Sequence, residues 1–446
     1  VTDDGRADPP GPPAAVPASP DPGAGPRELR PLPRALVGRP SRRWTAVMAV
    51  VGAVSVAAVA ADTWRVAARW SRLDEAVYLL GARHLTDGRL YHVGLSTDPH
   101  LPFTYPPAAA LAFWPLAVLP DGASRLLWAL VQLACLVGLV GLSLRAAAPG
   151  ADQRRVWLWA LVLAGPTYLV DPVRLTVYFG QVNLVLAVAV LADLTVPLRV
   201  GRRTLPRGVL IGVAGAVKLV PLIFVPFLAL TGRRRAAAWA VGAFAAASAA
   251  AWIITPSSSW AYWTRYVHDP GRVGEPGFYL NQSLLGAVDR LAHHHVAAGA
   301  MTAAEAVAAV VGLLVARAVW RVGSPFLALV VCAAAGLLAS PISWQHHLVW
   351  AVPALIWLVV APDRPAGGAV WAAVGFVLLW WSPLEHTGGP PGWAALHGWT
   401  LVASISSFLL LVAFLAGTLV LVVVRRAPHR LSAGPSRAAT AGAATS

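Results

Sequence analysis

The sequence predicts an all-α polytopic membrane protein, and three observations carry the prediction. Hydrophobic residues make up 57% of the 446-residue chain and charged residues only 12%, against about a quarter charged in ordinary soluble domains. Mean hydropathy is +0.63. The apolar residues are gathered into runs separated by short arginine-bearing loops, and the net charge of +15 is almost all arginine, Lys218 being the only lysine. Clustered arginines with no basic stripe on a soluble domain exclude a nucleic-acid partner and match the cytoplasmic loops of membrane proteins. Cys135 and Cys332 both lie inside apolar runs, which predicts packing residues and neither a disulfide nor a metal pair.

Taken in order, residues 1–43 are rich in Pro, Ala, Gly and Arg without apolar periodicity, and predict a disordered cytoplasmic tail. A first span follows over 44–61, running outward from Arg42 and Arg43. The loop from Asp62 to Tyr105 is then external. It holds two amphipathic stretches, Trp64 to Trp70 and Glu75 to Leu85, suited to short interfacial helices. Further apolar runs lie near 107–119, 124–144, 156–170, 182–198, 208–231, 236–255, 301–316, 325–339, 348–361, 368–381 and 400–424. Two are awkward as spans, which need about 20 apolar residues: 107–119 is short and contains Pro115, and 208–231 carries Lys218, Pro221 and Pro226. If both cross there are twelve spans, with Arg145, Arg154, Arg155 and the Arg202 cluster outside; if neither crosses fully there are ten, and those clusters fall inside. Charge bias favours ten, with a broken hairpin buried in protein. The membrane region thus covers 44–426, and 427–446 reads as a second disordered cytoplasmic tail.

Few polar residues interrupt this pattern, and they are the candidates for chemistry. Asp74 and Glu75 stand between two apolar regions, where a charge is costly unless it faces water or a substrate; Asp74 is equally placed to cap the helix that follows. Lys218 lies some ten residues from either end of its run, too deep to snorkel, and needs an anionic partner: a lipid phosphate, or a buried carboxylate such as Asp193. His346 and His347 follow SPISWQ in an external loop and titrate near neutrality. Gln181 and Asn183, with Asp171 and Arg174 just before them, cluster at a span end. Asn281 and Gln282 lie in the external YLNQSLLG. Such amides bond sugar hydroxyls or hold helices together. Tyr105, Trp260, Trp263 and Trp344 are sugar-stacking or interfacial aromatics. The run His293 to His295 reads as ordinary surface histidine.

The stretches LDEAVYLLGARHL and LPFTYPP, followed by GQVNLVL, GAVKLVPL, YLNQSLLG and SPISWQHH, resemble glycosyltransferase family 87, from about Asp74 to about Trp350. The resemblance implies a GT-C membrane fold with 10–12 transmembrane helices and an active site on the external face of the plasma membrane. It implies an inverting α-(1→2) mannosyltransferase that takes mannose from polyprenyl-phosphate-mannose to a lipid-anchored glycan of phosphatidylinositol mannoside or lipomannan type. Asp74 is then the expected base, four residues before Tyr78, with His346 and His347 as further catalytic candidates. Tyr78, Tyr105, Arg174, Gln181, Asn183, Lys218, Asn281, Gln282 and Trp344 are the expected substrate contacts. Absence of a polar D-x-D, a Gly-rich loop opening a helix or a dinucleotide fold speaks against a nucleotide-sugar donor and its metal, so no cofactor is expected. Transfer of arabinofuranose from polyprenyl phosphate is the alternative within the fold, and a lipid-linked sugar transporter or flippase the alternative outside it.

Overall fold

The computed structural model describes residues 29–69, 72–96, 100–386 and 396–426; most of the expected N-terminal tail and all of the C-terminal one lie outside the described residues. Residues 29–41 correct the expected tail boundary at 43. A 3-10 turn at Arg34–Leu36 buries Leu36 in the core, Asp152 N donates to the Leu36 carbonyl at 3.0 Å, and Arg30 N to that of Pro362 at 2.7 Å. Arg155 donates to the carbonyls of Gly38 (2.7 Å) and Ala35 (3.1 Å), and Trp159 Nε1 to that of Ala35 (3.2 Å), so the segment is anchored at several points.

The helices are α1 (Arg42–Arg69), α2 (Leu73–Arg83), α3 (Pro107–Ala117), α4 (Asp121–Ala147), α5 (Gln153–Tyr168), α6 (Asp171–Phe179), α7 (Asn183–Thr195), α8 (Val209–Val217) and α9 (Phe224–Leu230). They continue as α10 (Arg234–Ile254), α11 (Pro256–Thr264), α12 (Leu284–Ala292), α13 (Ala298–Arg321), α14 (Pro325–Ala339), α15 (Ala351–Val360), α16 (Gly368–Trp381), α17 (Gly398–Ser404) and α18 (Ser406–Arg426). Two antiparallel ribbons complete the described residues: β1 (Gly94–Leu95) with β2 (Leu101–Pro102), and β3 (Arg199–Val200) with β4 (Arg203–Thr204). The separate helix expected over 64–70 is, as far as Arg69, the continuation of α1, which meets neither Gly nor Pro after Ala61; Trp70 lies outside the described residues.

Five helices, α1, α4, α10, α13 and α18, are long and apolar enough to cross a membrane alone. The bent pair α5–α6 would make a sixth, and α7, α14, α15 and α16 are shorter apolar helices packed among them. One end is fixed by Arg83 on Asp121 (2.6 Å) and Tyr168 Oη on Asp62 (2.8 Å); the other by Asp152 on Leu36 and by Asp363 against Ser324 and Arg425. The run 208–231 does not traverse. α8 rises from Asp193, whose carboxylate accepts from Gly208 N (2.7 Å) and Ile211 N (3.0 Å), and α9 returns to the same end. Its nine-residue first arm is about 14 Å long, and Lys218 stands at the apex.

Between helices in lipid the hydrophobic effect contributes little, so close packing and buried hydrogen bonds must hold the bundle. A Cβ at Gly212 would lie 2.2 Å from the Ala240 carbonyl, and one at Gly312 would lie 2.3 Å from Ala335 Cβ; only glycine lets α8 meet α10, and α13 meet α14, at these points. Pro166 in α5 has no N–H to give the Val162 carbonyl, which accepts from Ser55 Oγ of α1 instead (2.9 Å); that hydroxyl also accepts from Gly165 N (2.8 Å). The α5–α6 corner bends by 85° and Pro172 opens α6, a position where its missing N–H costs nothing. This corner lays α6 across the end of the bundle that carries α2.

Candidate active site

The pocket is assembled where α2, the α6–α7 junction, the α8–α9 apex and the segment after α14 meet. Asp74 and Tyr78 are four residues apart in α2, hence on one face of it. Tyr78, fully buried, donates from Oη to Gln181 Oε1 at 2.6 Å, and Gln181 Nε2 donates to Tyr105 Oη at 3.1 Å. Gln181 reaches this position because α6 stops at Gly180, in the left-handed conformation (φ 69°) and pressed so close to Glu75 that an added Cβ would stand 2.7 Å from Glu75 Cβ. Trp128 Nε1 fixes the same turn through the Gly180 carbonyl (2.8 Å). Beside Asp74, Arg72 and Glu75 form a buried ion pair at 3.1 Å.

The cationic side is equally defined. Lys218, extended at the end of α8, donates from Nζ to Asn183 Oδ1 (3.1 Å) and to His347 Nε2 (2.9 Å), and lies 5.6 Å from the centroid of the Tyr105 ring. Nε2 of His347 therefore accepts. Asn183 Nδ2 and Thr176 Oγ1 both donate to the His346 carbonyl at 2.8 Å, which pins the two imidazoles beside the lysine. His346 packs edge-on to Phe179. Lys218 does not pair with Asp193, which is committed to the main chain at the foot of the hairpin.

Two features of the pocket point to chemistry. Burial pushes the Asp74 carboxyl up to about 6, with the Lys218 charge and the Gln181 amide acting in the opposite direction; the shift places a base near neutrality. Both ring nitrogens of His346 and Nδ1 of His347 are buried without a hydrogen-bond partner among the described residues. An unpartnered buried polar atom costs about 1–3 kcal/mol, and these three belong to the two imidazoles packed beside Lys218. Lys218, Asn183 and His347 share one narrow pocket of about 40 Å³ with the apolar side chains of Leu186, Val190, Ile223, Phe224, Leu337 and Trp350. The arrangement is a carboxylate and a lysine with two imidazoles, next to apolar side chains.

The remaining expected contacts lie elsewhere. Arg174 bridges Asp171 (2.9 Å) and Glu385 (2.5 Å), and Asp171 also accepts from Gln345 Nε2 (3.0 Å) and Ser382 Oγ (2.8 Å). Asn281, fully buried, accepts from Ser343 N (2.9 Å) and Ser283 N (3.2 Å) and donates to the carbonyls of Pro276 (2.8 Å) and Pro341 (3.1 Å). Gln282 joins Tyr279, Ser404 and Phe408 through its amide. Trp344 is bridged to Asn281 and packs on Gly274 and Phe278. These residues form the strut on which SPISWQHH rests. Thr176 and Phe179, which hold His346, had no sequence signal: a threonine and a phenylalanine in an apolar helix are the commonest of core residues.

A helical bundle with membrane-type spans brings a carboxylate, a lysine and two imidazoles together in one buried polar pocket. The chain belongs to glycosyltransferase family 87, whose sequence profile matches residues 103–341, beginning after Asp74 and ending before His346. A Mycobacterium tuberculosis protein named polyprenol-phosphate-mannose-dependent alpha-(1-2)-phosphatidylinositol mannoside mannosyltransferase is 34% identical over 334 residues, 70% of this chain and 77% of its own length. A second from the same species, named for a phosphatidylinositol pentamannoside acceptor, is 35% identical over 350 residues, 77% of this chain and 79% of its own. A Mycolicibacterium smegmatis phosphatidylinositol mannoside mannosyltransferase is 36% identical over 357 residues, 72% and 78% respectively. No solved structure matches the chain. The chain is a glycosyltransferase.

Proposed function

We infer that this enzyme moves mannose from polyprenyl-phosphate-mannose to a hydroxyl of a phosphatidylinositol-anchored mannoside, forming an α-(1→2) linkage with inversion. The observation that carries the reading is the juxtaposition of Asp74 with Lys218 and the unpartnered imidazoles next to apolar side chains. The donor phosphate sits on Lys218 and the histidines, and its first isoprene units lie along Leu186, Phe224 and Trp350. Asp74 accepts the proton of the acceptor hydroxyl as its oxygen attacks C1. The C1–O bond to phosphate breaks with its electron pair leaving on the phosphate oxygen, where Lys218 offsets the charge. A phosphodiester needs no acid to leave as phosphate. Gln181, Tyr105 and Tyr78 hold Asp74 and the sugar in register. The mannose donors of the named relatives favour this reading over arabinofuranose transfer.

The site faces outward from the plasma membrane in this reading, which the arginine clusters at the opposite end of the bundle support through the positive-inside rule. Purified enzyme given labelled polyprenyl-phosphate-mannose and a phosphatidylinositol mannoside yields a longer α-(1→2) mannoside. Product from a polyprenyl-phosphate-arabinose donor alone refutes the assignment.

A further inference from the structure

The end of the bundle away from the pocket carries cations that the reaction does not use. Arg207 and Arg233 lie together at the foot of the α8–α9 hairpin. A Cβ on Gly208 would stand 1.9 Å from the Ala236 carbonyl, so the chain at 207–208 rests on the first turn of α10, and the charge of Arg207 bears on Arg233. Both guanidiniums are held in place: Arg207 donates to the carbonyls of Asp193 (3.2 Å) and Leu194, and Arg233 lies 4.2 Å from the centroid of the Trp320 ring. Arg317, one turn before Trp320 on α13, has a buried Nε with no hydrogen-bond partner among the described residues. None of the three forms an ion pair with a carboxylate among those residues. The nearest acid, Asp193, turns its carboxylate to Gly208 N and Ile211 N, although its charge still reaches Arg207.

A separate feature points the same way. The 21-residue α10 starts at this spot with no side-chain cap, so its first N–H groups and its positive dipole end are open to an anion. The adjoining surface is apolar: Leu230 is 37% and Trp239 53% exposed. Like charges fixed side by side repel, and an anion with an apolar body satisfies both halves of the surface at once.

The geometry points to a binding site for an anionic phospholipid, its phosphate between Arg207 and Arg233 above the first turn of α10 and its acyl chains along Leu230 and Trp239. The lipid neutralises the pair and ties the foot of the hairpin, whose apex is Lys218, to the leaflet. The full chain in detergent micelles, examined by native mass spectrometry with phosphatidylglycerol or phosphatidylcholine added, tests the site. Wild type retains phosphatidylglycerol over phosphatidylcholine, and the double variant Arg207→Gln/Arg233→Gln loses about tenfold in that affinity. Arg202→Gln/Arg203→Gln, on the exposed β3–β4 ribbon, leaves it unchanged. Because the double variant removes two main-chain anchors as well as charge, Arg207→Lys/Arg233→Lys is the control: it retains lipid in proportion to its charge. Equal retention of the two lipids by wild type, or undiminished phosphatidylglycerol binding in the glutamine variant, overturns the proposal. So does displacement of the lipid by glycerol 3-phosphate or inorganic phosphate, which makes the ligand a soluble anion.

Discussion

The amides on either side of the SPISWQHH segment form a natural comparison. Asn281 and Gln282 have every polar atom bonded to main chain, and Asp171 gathers Arg174, Gln345 and Ser382. A few residues along the same segment, His346 and His347 leave three buried nitrogens without partners, beside a lysine whose own partners are an amide and an imidazole. Both regions are buried and polar, in chains of similar residue types. Gln345 Oε1 on the first side is unpartnered as well, so what sets the second region apart is that its open nitrogens stand beside the chain's one lysine.

Substitutions in the two regions sharpen the contrast. Asp74→Asn keeps the volume and removes the base, so kcat falls by about a thousandfold or more while donor affinity and thermal unfolding stay near wild type; steady-state turnover with both substrates checks this. Lys218→Met removes the phosphate's charged contact and weakens donor binding roughly 10- to 100-fold, about 1.5–3 kcal/mol, read as a rise in donor Kd. The pH profile comes next. Asp74 works deprotonated and its carboxyl is pushed up to about 6, so kcat/KM rises with pH, about tenfold per unit below that value, and is flat above it. A carboxylate at the ordinary aspartate value of 3.8 would leave the profile flat across that range. On the scaffold side, Asn281→Ala strands Ser343 N and Ser283 N and lowers stability by about 1–3 kcal/mol per stranded group. The folded fraction retains the wild-type donor KM; a specific loss of donor affinity would move Asn281 from scaffold to site.

The sequence-level reading of the fold rested on charge and length, and those sufficed for the long traverses and the hairpin. Arginines on both flanks of 208–231, with Lys218 and two prolines between, already spoke against a simple span, and Gly208 against Ala236 is the packing that realises it. That α1 continues past Ala61 was not legible, because interfacial composition suggests a break but does not stop a helix that lacks Gly or Pro. At the site, the residue types that stand out in an apolar chain also stand out in space: Asp74, Lys218 and the histidine pair converge. Amides were harder to read. Gln181 and Gln282 sit in similar motifs, and which one faces a tyrosine pair and which ties α17 to α18 depends on neighbours a hundred residues away. Arg174, attractive as a phosphate ligand, lies three residues from Asp171 and meets Glu385 across the fold.

The account depends most on where the donor's phosphate and sugar lie. A structure of the enzyme with a non-transferable phosphonate analogue of polyprenyl-phosphate-mannose is the direct measurement. It is expected to place phosphonate oxygens about 3 Å from Lys218 Nζ, within reach of the His346 and His347 nitrogens, with the lipid along Phe224 and Trp350 and the anomeric carbon turned toward Asp74. A phosphonate held by Arg174, or a sugar facing away from Asp74, would contradict it.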